Sequence, residues 1–312
     1  MLPIMVYMDG TDNNSWVKAF KAASPGIDAR SYEDWVGDTT TPCYAFLWKP
    51  EHGLVAKHPN IKVIFYAGAG VDHLLADPTL PDHIPIARLS DDGLKDGMAD
   101  WVVMNVLMQN RKVPEVMAQQ RRKLWLKQPP KLPQDITVGL MGYGALGKIC
   151  SERLKPFGYN LITWSRTAKE PEAGLIHYSS EKEFKEFLSK TDILVSLLPA
   201  TKDTDDLINI DTIACLPKGA SIINAGRGNV LDTSALLIAI ENGHIAGASL
   251  DVFKTEPLPA DDPLWDCEKV IITPHISAET RIETAVDYVL NSIKTFEATG
   301  DIINLYERDR GY

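Results

Sequence analysis

Three side chains able to hold an acid or move a proton stand where short apolar runs end. Ile222-Ile223-Asn224 leads through Ala225-Gly226 to Arg227. Gly247-Ala248-Ser249-Leu250-Asp251 leads through Val252-Phe253-Lys254-Thr255 to Glu256. Ile271-Ile272-Thr273-Pro274 ends at His275. An arginine carries a permanent charge on a planar fork that matches a carboxylate. A histidine titrates near neutrality, so it can give a proton in one direction and take it in the other. Each also has a plainer reading. Arg227 could cap a helix or pair with an acid, Glu256 could be a turn residue before Pro257, and a histidine after Thr-Pro is often structural. The other histidines take that structural reading.

A glycine-rich stretch precedes these three. Gly142, Gly144 and Gly147 fit G-x-G-x-x-G behind the strand-like Ile136 to Met141 and ahead of a helical run, Lys148 to Phe157. Gly142 permits a tight turn, Gly144 lets backbone approach a pyrophosphate, and Gly147 lets the helix pack close to the strand. The helix start, with Ala145 and Leu146, offers free N–H groups to phosphates. The next strand end reads Trp164-Ser165-Arg166-Thr167-Ala168-Lys169 and has no carboxylate. An acid there would hold a ribose 2′-hydroxyl; Arg166 instead attracts a 2′-phosphate, and Ser165 and Thr167 can add hydroxyl donors. This favours NADP(H), the alternative being a surface arginine in an NADH enzyme. A second small-residue loop, Tyr66-Ala67-Gly68-Ala69-Gly70-Val71, could form an anion-binding nest or be a plain turn. Trp48 could close over a small substrate or be a core tryptophan.

These residues need a scaffold. Strands are expected at Ile4 to Met8, Cys43 to Trp48, Val63 to Tyr66, Ile136 to Met141, Asn160 to Trp164, Ile193 to Leu198, Ala220 to Asn224, Gly247 to Asp251 and Val270 to Thr273, because each is short, apolar and closed by breakers. Long intervening stretches make this an α/β chain with parallel sheets. Residues 97–125 read as one long helix ending in Arg121-Arg122-Lys123, a solvated end or part of a dimer interface. Gln128 to Pro133 reads as a stiff connector. Thr280 to Gly300 reads as a helix returning to the first domain. The expected division is a discontinuous domain, 1–97 with 284–312, around a second domain, 98–283.

Composition narrows the function classes. The chain has 312 residues and a net charge of −10, which argues against nucleic-acid or anionic-membrane binding. The four cysteines, Cys43, Cys150, Cys215 and Cys267, form no C-x-x-C pair, so neither a zinc site nor a redox motif is suggested. The N-terminal run Met1 to Asp9 lacks a basic region and is too short for a signal peptide or a span. The location is read as cytoplasmic.

The glycine loop followed by the Arg227, Glu256 and His275 segments, in this order and spacing, resembles the D-isomer-specific 2-hydroxyacid dehydrogenase family over nearly the whole chain. Leu47-Trp48-Lys49-Pro50, Ala67 to Asp72, Trp164 to Thr167 and Arg308 to Tyr312 are most similar to the branch that reduces glyoxylate and hydroxypyruvate. Met98-Ala99-Asp100 departs from the Ala-Glu common in the family. The resemblance implies a Rossmann-type doubly wound domain for NADP(H) and a smaller flavodoxin-like domain that binds substrate. It implies reduction of small 2-oxo acids, glyoxylate to glycolate and hydroxypyruvate to D-glycerate, by a homodimer. It assigns Arg227 to the substrate carboxylate and carbonyl oxygen, His275 to proton donation and Glu256 to orienting the imidazole. Trp48, Ala69 and Gly70 join Arg227 and His275 around the substrate, in a site between domains that closes at hinges near residues 95–100 and 280–286. Leu198, Pro199, Ala225 and Asp251 join the glycine loop and Ser165-Arg166-Thr167 around the cofactor, with Asp251 near the nicotinamide carboxamide. An NADH-using broad 2-oxo acid reductase and a dinucleotide-sensing corepressor scaffold are the alternatives. Formate dehydrogenases carry Gln in place of Glu256, and phosphoglycerate dehydrogenases often carry a further domain.

Overall fold

Apolar runs too short for helices become parallel strands, and the amphipathic stretches between them become the covering helices. A computed structural model describes residues 1–35, 37–129 and 131–308. In chain order the elements are β1 Ile4–Met8, α1 Asn13–Ala23, β2 Ala29–Ser31, β3 Cys43–Trp48, β4 Ile61–Tyr66, α2 Asp72–Leu75, β5 Ile86–Arg88, α3 Asp92–Asn110, α4 Val113–Arg121, β6 Thr137–Met141, α5 Ala145–Leu154, β7 Asn160–Ser165, β8 Leu175–Ser179, α6 Phe184–Ser189, β9 Ile193–Ser196, α7 Ile210–Ile213, β10 Ala220–Asn224, α8 Thr233–Glu241, β11 Ile245–Leu250, β12 Val270–Ile272 and α9 Ile282–Thr299. The chain divides into two units, Met1–Leu94 with the chain from Glu279 onward, and Lys95–Ala278.

The first unit carries a parallel sheet in the order β2-β1-β3-β4-β5, the flavodoxin-like arrangement. Helices cover both faces of such a sheet, so its central strands are almost wholly apolar. Met5, Ala45, Leu47, Ile64 and Tyr66 are buried with Trp35, Leu74 and Ile84. Asp12 caps α1 by accepting from Asn14 N at 3.0 Å, satisfying a donor that the helix cannot.

The second unit carries a parallel sheet in the order β12-β11-β10-β9-β6-β7-β8. From β6 the chain winds outward to β7 and β8 on one side, whereas β9 to β12 lie on the other. The β6–β9 junction is therefore the switch point of a doubly wound sheet. One face packs Met98, Val102 and Val106 of α3 with Cys150 and Leu154 of α5 on β6 and β7. The other packs α6 over β7 and β8 and α8 over β11.

Several expected elements need correction. The helix at 97–125 is two helices, α3 and α4, parted at Lys112, which takes a left-handed conformation (φ 53°). Pro114 supplies the reason: it fits the first turn of a helix and breaks an interior. The run Lys148 to Phe157 ends as α5 at Leu154 and tightens into a 3₁₀ turn at Lys155–Phe157. The strand expected at Gly247 to Asp251 is Ile245–Leu250, leaving Asp251 in the loop beyond. β4 begins at Ile61, two residues before the expected Val63, and β9 stops at Ser196, before Leu198. β2, β5 and β8 were not expected. The first two have three residues each, and β8, Leu-Ile-His-Tyr-Ser, lies half-exposed at the sheet edge with His177 and Ser179 interrupting its apolar run. Pro130 in the connector, and Asp309 to Tyr312 at the C-terminus, lie outside the described residues.

Candidate active site

Six loops leave the C-terminal ends of the second unit's strands, the place where parallel sheets present their ligands. They carry Gly142 after β6, Arg166 after β7, Leu198 and Pro199 after β9, Arg227 after β10, Glu256 after β11 and His275 after β12.

The β6 loop is shaped for a pyrophosphate. Gly142 has φ 97° and donates its N–H to Trp164 O at 2.9 Å. A Cβ on Gly147 would overlap the carbonyl oxygen of Gly142, so only glycine lets α5 start this close to the strand. Gly144 has open space where its Cβ would be, and no side chain caps α5, which begins with exposed Ala145 and half-buried Leu146. The uncapped N–H groups and the helix dipole favour an anion there. The β7 loop has exposed Arg166 and Thr167 and no carboxylate at its tip. Ser165 is buried, and its hydroxyl donates to Thr167 O at 2.8 Å, so it shapes this turn. Leu198 and Ala225 are buried and Pro199 half-buried. The open glycine, the uncapped helix and the arginine fit a dinucleotide with a 2′-phosphate.

Arg227 sits between two glycines for a steric reason. A Cβ on Gly226 would lie 2.5 Å from Leu198 O, and one on Gly228 would overlap the carbonyl carbon of Phe253. The Arg227 loop is thus wedged between the β9 and β11 loops. Asn224, fully buried, fastens it: its Oδ1 accepts from Gly226 N at 3.2 Å, and its Nδ2 donates to Arg227 O at 3.0 Å. Arg227 Nη1 donates to Gly226 O at 2.8 Å, holding the half-buried guanidinium against its own loop.

His275 Nδ1 lies 2.7 Å from Glu256 Oε2. An ionised carboxylate only accepts, so Nδ1 carries the hydrogen, and Nε2 is the nitrogen left for a substrate oxygen. The other Glu256 oxygen accepts from Phe253 N at 3.0 Å, which fixes the carboxylate. His275 occupies the left-handed region (φ 57°), uncommon for a residue with a Cβ. Its backbone is held by bonds from His275 N to Asp251 O (2.9 Å) and Thr273 O (3.1 Å). Asp251 is fully buried. One oxygen accepts from Thr273 Oγ1 (2.5 Å) and Ile276 N (3.0 Å), the other from Ser277 N (2.8 Å). The residue expected beside the nicotinamide thus ties down the loop that carries His275.

In the first unit the Gly68 loop follows β4. Gly68 N donates to Tyr66 O at 2.8 Å, and Ala67 O accepts from Thr280 Oγ1 at 3.0 Å. Ala69 and Gly70 are half-buried. Trp48 is half-buried too, its ring 5.4 Å from that of Tyr66 and close enough to Gly68 to exclude a Cβ there.

Residues 103–277 match the family model described as the NAD-binding domain of D-isomer-specific 2-hydroxyacid dehydrogenases. The chain belongs to this family. It is 35% identical over 314 residues to a glyoxylate/hydroxypyruvate reductase A of Yersinia enterocolitica, covering 99% of each chain. Among solved structures it is similar to a D-isomer-specific 2-hydroxyacid dehydrogenase of Xanthobacter autotrophicus in complex with NADPH and MES. That match has 37% identity and a TM-score of 0.94, covering 100% of this chain and 99% of that one. It is also similar to an NADPH-dependent glyoxylate/hydroxypyruvate reductase of Sinorhizobium meliloti in complex with NADP and sulfate, at 33% identity and a TM-score of 0.91 over 100% of both chains.

Sequence reading of this dehydrogenase missed Asn224 and the wedging role of Gly226 and Gly228. An Asn two residues before a Gly-x-Gly turn is the available signal, because its short amide can bond the backbone two residues on. The anchoring by Asp251 had no such signal, since its partners Thr273, Ile276 and Ser277 are distant in sequence. Metal chemistry has no candidate: among the described residues no cluster of His, Cys, Asp or Glu could hold an ion. Nor is any described helix long and apolar enough to cross a membrane.

Proposed function

We propose that this dehydrogenase reduces glyoxylate to glycolate and hydroxypyruvate to D-glycerate with NADPH, His275 donating the proton. The observation that carries the reading is the His275–Glu256 pair at 2.7 Å, on loops at the same C-terminal edge of the sheet as the dinucleotide-type glycine turn after β6 and Arg166 after β7. The names of the Yersinia and Sinorhizobium relatives, and the NADP ligands of the solved structures, support the same substrates and cofactor.

When bound, NADPH supplies the hydride. The protein's residues supply position and charge. Arg227 holds the substrate carboxylate and the carbonyl oxygen, its fork kept in place by the wedged loop. His275 holds a proton on Nε2 for that oxygen as negative charge builds there, and Glu256 fixes the ring. Gly142, Gly144, Ala145, Leu146 and Gly147 hold the pyrophosphate, Arg166 and Thr167 the 2′-phosphate, and Leu198, Pro199 and Ala225 the rest of the dinucleotide. Trp48, Ala69 and Gly70 also contact the substrate under this reading.

We also propose a cytoplasmic homodimer. Val116, Met117, Leu124, Trp125 and Leu126 expose large apolar side chains on and just after α4, Trp125 at 94%. Such patches mark interaction sites. A reducing compartment suits four free cysteines, of which Cys43 and Cys150 are buried and have their thiols pushed up to about 12.

The test follows nicotinamide absorbance with glyoxylate, hydroxypyruvate and pyruvate, using NADPH and NADH in parallel. Turnover should favour NADPH and the first two acids. His275→Ala should lower kcat by about a hundred-fold or more while NADPH affinity holds. A preference for NADH would overturn the cofactor, and near-normal turnover of His275→Ala would overturn the proton donor.

A further inference from the structure

The loops after β7 and β9 meet through charge. Arg166 Nη1 lies 3.8 Å from Asp203 Oδ2. β7 and β9 flank β6 on opposite sides, so this pair joins the two loops that border Gly142-Tyr143-Gly144. The turn that carries Asp203 is internally fixed. Thr204 Oγ1 donates to Pro199 O at 2.7 Å and accepts from Thr201 N at 2.8 Å, and Asp205 N donates to Thr201 O at 3.0 Å. The two neighbouring carboxylates are engaged elsewhere: Asp206 with Lys254 Nζ at 2.5 Å, and Asp205 with Asn229 Nδ2 at 3.4 Å. Asp203 is the carboxylate of the three that meets Arg166.

We infer that Asp203 tunes cofactor choice: its carboxylate competes with the cofactor's 2′-phosphate for Arg166 and so limits how strongly NADPH is favoured over NADH. The inference rests on Arg166 as the phosphate's partner and adds a counterweight to it. Two anions then share one guanidinium. A phosphate arriving at Arg166 must displace or crowd the carboxylate, and like charges repel. NADH brings an uncharged hydroxyl to the same place, so its binding draws little on this balance. The side chains are 48% and 78% exposed, which keeps the competition weak and sensitive to salt.

NADPH and NADH are titrated by nicotinamide fluorescence against the wild type, Asp203→Asn, Arg166→Gln and the double variant, at low and moderate salt. Asp203→Asn should tighten NADPH about two- to five-fold, the span expected when an exposed pair is released. NADH affinity should not change. The gain should shrink with salt and vanish in the Arg166→Gln background. General damage to the loop would loosen both cofactors, so tightening of one alone is diagnostic. If Asp203→Asn leaves NADPH unchanged or weaker while Arg166→Gln still loosens it, the role of Asp203 is overturned and that of Arg166 stands. If Arg166→Gln does not touch NADPH affinity, the Arg166 reading falls and the inference with it.

Discussion

Glu256 has two oxygens and two duties. One fixes the carboxylate on Phe253 N and the other meets His275 Nδ1. A glutamine there keeps one acceptor but loses the charge that steadies an imidazole as it gains and gives a proton. Under the proposed reading, in which Arg227 binds the acid, Glu256→Gln should therefore lower kcat by about ten-fold or more with little change in glyoxylate KM. Steady-state kinetics beside an NADPH titration separates the two effects. An unchanged kcat would leave Glu256 a turn residue. At this scale the sequence was informative where a residue's chemistry is rare and its context repeated. Arg227 between glycines, Glu256 before Pro257 and His275 after Thr-Pro all stood out. It was uninformative for Asp251 and Asn224, whose duties depend on which backbone groups the fold brings to them.

The elements decide whether Arg227 points anywhere useful. Its loop fits between Leu198 and Phe253 only because Gly226 and Gly228 have no side chains. At Gly228 the obstacle is Phe253 backbone, which cannot swing aside as a flexible side chain would. Gly228→Ala should force the β10 and β11 loops apart. Overpacking of this kind costs about 1–3 kcal/mol, and the displaced arginine should cost about a hundred-fold or more in kcat/KM. The glycine turn after β6 is untouched, so NADPH affinity should hold. Melting temperature, kinetics and cofactor titration on one preparation check all three, and a variant with normal kcat/KM would show that the wedge does not position Arg227. The longer strands around these loops were legible because they are buried on both faces and read as apolar runs. β2, β5 and β8 were not, since the first two have three residues each and β8 sits half-exposed at an edge. The break between α3 and α4 was legible in principle at Pro114, but the apolar pattern on both sides masked it.

At the scale of the whole molecule, an acidic chain carries a local apolar surface. Arg121 and Arg122 both pair with Glu268, Arg121 at 3.2 Å, so the basic cluster that ends α4 is partly neutralised. Just beyond it Leu124, Trp125 and Leu126 are exposed. A charge of −10 on each chain opposes self-association, so a dimer requires apolar burial large enough to exceed that repulsion. A tryptophan is the residue type most able to supply it, and interfaces concentrate their energy in such anchors. Light scattering should give the mass of two chains for the wild type and of one for Trp125→Glu combined with Leu126→Ser. The segment's exposure makes misfolding a poor explanation for that change, and a far-UV circular dichroism spectrum matching the wild type's would exclude it. Raising the salt screens the repulsion and should tighten the wild-type dimer. A wild type that runs as a single chain at every salt would remove the dimer from the proposal and leave Trp125 without a partner of its own kind.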